Sequence, residues 1–455
     1  MCYDILYYVI LFIRVFFYGV IALNVLYYKI SEMEEIMRKK IIVLVITMLL
    51  FSLVGCGSNK GKDDSAKTEI VLWHTLTDHH AAKLQEIVDR YNATIDDYVI
   101  VLQAQPLQDY EAKVMQAVRN GTGPDIVFAF PTAAANYLED ELIVNYSEFL
   151  DDETIGIPDF KNSLPDAVYD EITQWDGNVY LIPVLKTGEV LFYNKTLLDS
   201  LGFDAPETWS DVEEISRAAL AETGKPGFGF DSVIDGVTAL IIQAGSGYID
   251  AEKKEVVFAN DIAADRLQWF GDLVQEGVFR LVGEDTYFSN PFGSQAVAMY
   301  VGSSAGYEFV LSAIDGAFDL GITGLPQEGS NKYASSWGSN LMIFKSTPEK
   351  EKAAYEFIKY FISPEVNAEW VVAFGGVSPY YATQEVDVHK DYIANNPVAE
   401  ALMKTLENVG YLPSITGSTT VRNELGKAAE EVATGLKEAL QALIDAANAS
   451  NPELK

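Results

Sequence analysis

Apolar and polar positions change period repeatedly along residues 68–180. Residues 69–73 form a short apolar run that reads as a strand. Ala81, Leu84, Ile87, Val88 and Tyr91 then recur at helical spacing, on a helix capped by Thr77 or Asp78 and running to about Asn92. Residues 99–103 read as a second strand, and 110–120 as an amphipathic helix stopped by Gly121-Thr122-Gly123-Pro124. Residues 125–130 (DIVFAF) read as a buried strand, and Pro131 opens another helix. Strand, helix, strand, helix, strand implies a parallel α/β sheet. The alternation resumes after residue 180, with strands over 190–194, 296–301, 318–323 and 341–344. Helices are expected over 209–223 with Ser210 as cap, 263–276, 348–362, 364–374, 395–406 and 420–447, the last broken near Gly435. The simplest architecture is two α/β lobes with a cleft between them, and ligands in such sheets sit beyond the carboxyl ends of strands.

Ahead of this pattern, the apolar run 41–53 follows Arg38-Lys39-Lys40 and ends in Leu53-Val54-Gly55-Cys56. A basic opening, a short apolar stretch and small residues before a cysteine resemble a bacterial lipoprotein signal, in which Cys56 is acylated on its thiol and becomes the N-terminus. The run is too short to span a bilayer comfortably. Residues 37–55 therefore read as a signal peptide. Residues 56–67, polar and without periodicity, read as a flexible tether. A second apolar stretch over 5–28 is interrupted by Arg14. Residues 1–36 read as an extension upstream of a start at Met37 or Met33, with a transmembrane helix as the alternative. On this reading everything after Cys56 is extracytoplasmic and held at the cell membrane by lipid.

Composition narrows the partners. The net charge is −34, and four acids and five bases precede Cys56, so the remainder is one unit more negative. Such a field repels nucleic acid and anionic headgroups. Cys2 and Cys56 are the only cysteines, so the folded part holds no disulfide and relies on its core. No metal or other cofactor is expected. His79 and His80 are adjacent and point apart on a helix, and no cysteine can join them. No nucleophile elbow, P-loop or dinucleotide fingerprint is present. A secreted glycosidase using paired carboxylates is the competing enzyme class, but acids are too abundant here for pairing in sequence to carry weight.

Several segments resemble the family 1 extracellular solute-binding proteins of ABC importers, which include the maltose-binding and glycerol-3-phosphate-binding proteins. They are Gly121-Thr122-Gly123-Pro124-Asp125-Ile126, Ile182-Pro183 through Leu191-Phe192-Tyr193-Asn194-Lys195, Pro206-Glu207-Thr208-Trp209, AVAMYVG at 296–302, and Ser363-Pro364-Glu365-Val366-Asn367-Ala368-Glu369-Trp370 with Gly375-Gly376. In order they cover residues 68–447. The resemblance implies a monomeric binding protein without enzymatic activity, whose two lobes close on a small solute and deliver it to a membrane permease. It places crossings near 181–184, 324–326 and 377–380, with 68–180 plus 327–376 in one lobe and 185–323 plus 381–447 in the other.

Candidate ligand residues are those just beyond strands or at crossings. Trp73 and His74 end the first strand, Asp78 opens the following helix, and Phe130 ends DIVFAF. Thr187 and Glu189 follow the first crossing, and Ser303 and Ser304 follow AVAMYVG. Trp337, Gly338 and Ser339 precede the strand LMIF, and Tyr380 and Tyr381 follow the third crossing. Aromatic faces stack on sugar rings, and hydroxyls and carboxylates hold their hydroxyl groups. Trp209 and Trp370 read as scaffold.

Two departures bear on the ligand. The maltose-type pattern carries a tryptophan where Ser303-Ser304 stand and an aromatic near 418–420, where none is present. The glycerol-3-phosphate-type pattern shares Trp73-His74 and the serines, but its basic residue is missing from PSITGS at 413–418. Lys186 is the only substitute that suggests itself. A small or medium carbohydrate is the leading expectation, and glycerol 3-phosphate or a related polyol phosphate the alternative.

Overall fold

A computed structural model describes residues 67–455. The expected signal peptide, the lipidated Cys56 and the tether up to residue 66 lie outside the described residues.

The strands in chain order are β1 (Thr68–His74), β2 (Tyr98–Ala104), β3 (Ile126–Ala129), β4 (Ile182–Pro183), β5 (Thr187–Asn194) and β6 (Phe228–Phe230). They continue as β7 (Ile249–Asp250), β8 (Glu255–Val256), β9 (Met299–Ser303), β10 (Leu320–Gly324), β11 (Ala334–Trp337), β12 (Asn340–Ile343) and β13 (Val409–Gly410). The first sheet runs β2-β1-β3-β12-β4. Its β1, β2 and β3 are parallel, as the strand–helix alternation predicts, and β12 closes it antiparallel to β3 and β4. The second sheet runs β13-β11-β5-β9-β6, with β10 and β11 sharing one edge of β5. β7 and β8 form a small hairpin.

Each sheet has its own core. Ile70, Leu72, Leu84, Ile87, Val88, Ile126 and Met342 pack in the first. Leu191, Trp209, Phe228, Phe230, Phe270 and Leu425 pack in the second, and a third cluster around Phe192, Tyr300 and Leu402 covers the other face of β5. β5 is buried along nearly its whole length because helices cover both of its faces.

Several elements differ from the sequence pattern for identifiable reasons. Thr208, not Ser210, caps helix Trp209–Thr223. Its hydroxyl accepts from Asp211 N at 3.1 Å while the Asp211 carboxylate accepts from Thr208 N at 2.9 Å, a reciprocal box that outcompetes the neighbouring serine. Helix Val233–Gln243 lies where the sequence pattern predicts no element; it is apolar on most sides and almost wholly buried, so it carries no helical stripe. The expected helix over 395–406 is present as Pro397–Leu406, and a further helix, Asp387–Asn395, precedes it and ends ahead of Pro397.

The crossings also shift. The expectation assigns 327–376 to the first lobe, but β11 pairs with β5 and β13 in the second sheet. The chain passes between sheets at Gly338-Ser339, not at 324–326. A Cβ on Gly338 would lie 2.3 Å from Leu185 O, so only glycine lets the passage run against the first crossing. Residues 381–395, expected with the second lobe, pack on helix Pro364–Ala373 of the first.

A polar network ties the passages together. Lys186 and Val377 exchange two backbone hydrogen bonds of 2.9 Å. Asn367 donates to Val184 O at 2.8 Å and accepts from Ser378 Oγ at 2.6 Å, and Ser378 N donates to His389 Nε2 at 3.2 Å. His389 is 1% exposed and burial depresses its pKa, so it is a neutral acceptor in the folded state. The unfolded state then binds the extra proton, so this histidine's contribution is full above about pH 6.5 and declines as pH falls below it. Buried Glu189 and Asp231 (pushed up to about 6) have raised pKa values and give slopes of opposite sign. The test is therefore the difference between the wild type and His389→Gln in urea unfolding from pH 7.5 to 5. The stability gap is expected to narrow as pH falls; a constant gap would remove the titration from the account.

Candidate ligand-binding cleft

The carboxyl end of β3 delivers Phe130 to the space between the sheets, and Pro131 starts a helix immediately after it. From the other side β11 delivers Ser335, Ser336 and Trp337, and the segment after β13 adds Tyr411 and Ser414. Two helix starts complete the wall, Asp235 in the first turn of Val233–Gln243 and Ser418, Thr419 and Arg422 from helix Ser418–Ala433. Gly417 caps the second at φ +93°, where its missing side chain leaves room for Glu453 O. These residues enclose a cavity of about 280 Å³. A second hollow of about 450 Å³ on the first-lobe side shares Glu111 and Phe130 with it and includes Thr75, Tyr110 and Ser339.

Phe130 and Trp337 meet edge to face at 6.2 Å, and the Arg422 guanidinium lies 4.8 Å from the Trp337 ring centroid. Arg422 is itself gripped by Asp235 through two parallel bonds of 2.5 and 2.8 Å. Glu189 is 4% exposed, and its Oε2 has no partner among the described residues. Burial, reinforced by the Asp235 charge and opposed by Arg422, pushes its carboxyl well above the usual range. Lys186 and Glu171 form an ion pair beside the cavity, with Lys186 nearly inaccessible.

The structure brings four of the predicted residues to this space: Phe130, Trp337 and Gly338 on the cavity and Ser339 on the adjoining hollow. Thr187 stands behind Trp337, donating to its carbonyl at 3.1 Å, and Glu189 lies buried within electrostatic reach of Arg422 and Asp235. The others lie elsewhere. Trp73 faces away within β1, with Nε1 on Gln103 Oε1 at 2.8 Å. His74 is buried, accepting from Leu76 N at 3.2 Å, and burial lowers its pKa. Asp78 is exposed at φ +49° and neither caps its helix nor lines the cavity. Ser303 is exposed and lines a separate hollow of the second lobe, while Ser304 is buried against Gly188 N. Tyr380 is inside the first core, and Tyr381 is exposed.

Arg422, Asp235, Tyr248, Tyr333, Tyr411, Glu111 and Glu171 line the cavity without having been singled out. PSITGS itself holds no basic group, but Arg422 just beyond it brings one to the cavity. It lies four residues beyond PSITGS, and helical spacing from Ser418 places it on the same face. Lys186 is not a free substitute, because Glu171 occupies it.

Residues 86–420 match the model of a family described as bacterial extracellular solute-binding protein. The chain belongs to that family. It is 23% identical over 408 residues to the sn-glycerol-3-phosphate-binding periplasmic protein of Yersinia pseudotuberculosis serotype I, covering 84% of this chain and 90% of that protein. Among solved structures it resembles the cyclic α-maltosyl-1,6-maltose binding protein of Arthrobacter globiformis, with a TM-score of 0.75 and 22% identity over 86% of this chain and all of that one. It also resembles the sugar-binding protein MalE of Xanthomonas citri, with a TM-score of 0.75 and 20% identity over 85% and 97%. The fold is thus the two-lobed α/β fold of these binding proteins.

Proposed function

We propose that the chain is the lipid-anchored solute receptor of an ABC importer and that its ligand is a small or medium neutral carbohydrate. The observation that carries this reading is the cavity wall. Phe130, Trp337 and Tyr411 offer flat apolar faces; Glu111, Glu171 and Asp235 offer acceptors for hydroxyl groups; and the one guanidinium is already neutralised by Asp235. Stacking faces beside carboxylates suit a polyhydroxylated ring, and with Asp235 paired to Arg422 and Glu171 to Lys186 the remaining Glu111 carboxylate leaves the wall net negative, which disfavours an anion. The site comprises Phe130, Trp337, Gly338 and Ser339 with Asp235, Tyr411 and Arg422, and the two sheet-centred lobes close on it.

A thermal-shift screen against sugars, polyols and their phosphates tests the reading, because a ligand bound only by the folded state raises the melting temperature by mass action. Carbohydrate hits with none among phosphates support it. Recovery of the ligand unchanged after incubation distinguishes a receptor from a glycosidase. The second reading, a polyol phosphate, is favoured by the name of the relative from Yersinia and by the arginine on the wall; a selective shift with sn-glycerol 3-phosphate would establish it in place of the first.

The anchor has its own test. A diacylated Cys56 supplies two chains, each buried CH₂ adding about 0.8 kcal/mol, enough for stable retention. Cys56→Ser is expected to move the protein from the membrane fraction to the soluble one. Unchanged retention would assign the anchor to residues 1–36.

A further inference from the structure

We propose that Asp235 is the specificity-determining residue of the cleft, holding Arg422 in a closed ion pair so that the site rejects phosphorylated solutes that the arginine alone would attract. The inference rests on the carbohydrate reading and explains how a cavity with an arginine on its wall selects an uncharged ligand.

Arginine binds phosphate through its planar fork of N–H donors. In this cavity one edge of the fork is already taken. Both of its terminal nitrogens are directed at the two oxygens of Asp235, and its flat face covers Trp337. Asp235 is fixed in turn, with Ser232 Oγ at 2.5 Å from its Oδ2 and its position in the first turn of helix Val233–Gln243, where the helix N-terminus favours negative charge. A phosphate seeking Arg422 must displace this carboxylate or share the guanidinium with it, against Glu171 and Glu111 on the same wall. Rejection thus comes from a charge already in place, which is how binding sites commonly exclude a competitor of similar shape.

Glu189 adds a reserve. It is buried beside the pair and within electrostatic reach of both partners. Replacing Asp235 by asparagine removes a charge that raises the Glu189 carboxyl and leaves Arg422, which lowers it, so Glu189 is driven toward its ionised form as a second counter-charge for the arginine. Freeing the guanidinium fully therefore requires both groups to be neutral.

The test uses the folded chain from residue 57 and calorimetric titration with sn-glycerol 3-phosphate, with glycerol as the uncharged counterpart. The variants are Asp235→Asn and Asp235→Asn/Glu189→Gln, which conserve volume. Asp231→Asn serves as control, since it removes a charge near Glu189 without touching the arginine's partner. The wild type is expected to give no measurable phosphate binding. The double variant is expected to gain at least tenfold over the detection limit, the single variant a smaller but still measurable amount, and the control nothing. A folded double variant with no gain overturns the proposal while leaving the carbohydrate reading intact, and so does a control that gains as much. Should the double variant fail to fold, the single variant decides, and no gain there overturns it. Tight binding of sn-glycerol 3-phosphate by the wild type overturns both the proposal and the reading beneath it.

Discussion

Replacing Trp337 by alanine is expected to weaken ligand affinity at least thirtyfold while leaving the melting temperature within a few degrees of wild type. Trp337 is 38% exposed at the end of β11, so the fold derives little from its burial. Its ring is nevertheless fixed by an edge contact from Phe130 and by Arg422 over its face. A preset aromatic face at the centre of a cleft commonly contributes about 2 kcal/mol or more to binding, which is about thirtyfold in affinity. Trp209→Ala is expected to do the reverse. Trp209 is fully buried between Phe228 and Phe230, and its Nε1 donates to Gln243 Oε1 at 2.8 Å. Truncation leaves a cavity and removes one of the hydrogen bonds that hold the Gln243 amide, a loss of about 3–5 kcal/mol, with affinity retained in the molecules that still fold. Calorimetry beside urea unfolding on both variants checks the pair. Undiminished affinity in Trp337→Ala would remove the aromatic wall from the binding account.

The same contrast shows what the sequence makes legible. Trp209 and Trp370 announce scaffold roles because one stands at a helix start and the other inside a helix, where burial against the sheet is the ordinary fate, and both are buried. The parallel start of the first sheet follows from alternating strand and helix periods. Phe130, Trp337, Gly338 and Ser339 are found by one rule, that cleft residues follow strands or lie at crossings. That rule misplaces Trp73, because a strand's last residues alternate in direction and this one turns toward Gln103 on β2. It misses Asp235 and Arg422 because their partnership spans 187 residues and two helix starts. It misses β11 because ASSW is short and only half apolar, and pairing with β5, not propensity, makes it a strand.

Lys186→Met is expected to cost about 3–5 kcal/mol of folding stability, because it removes one partner of a buried ion pair and strands the other. The Lys186 side chain is 3% exposed and its ammonium is on the Glu171 carboxylate, which is 14% exposed. Lys186 lies in the first crossing, and its backbone is also bonded to Val377 across the third, so the pair sits where the chain passes between sheets. Methionine keeps most of the stem's volume and leaves the backbone bonds in place, so the loss isolates the charge. Adding Glu171→Leu to Lys186→Met removes the stranded carboxylate, and because a buried pair is often replaceable by apolar groups with little loss, the double variant is expected to recover most of the stability. Urea unfolding of the wild type, both single variants and the double variant closes the cycle. A double variant as unstable as Lys186→Met alone would show that the lysine acts through its packing and not through Glu171. Recovery would show that this polar crossing is retained for something other than stability, and its position beside the cavity, with Glu171 on the wall, makes ligand affinity the quantity to measure on the same four proteins.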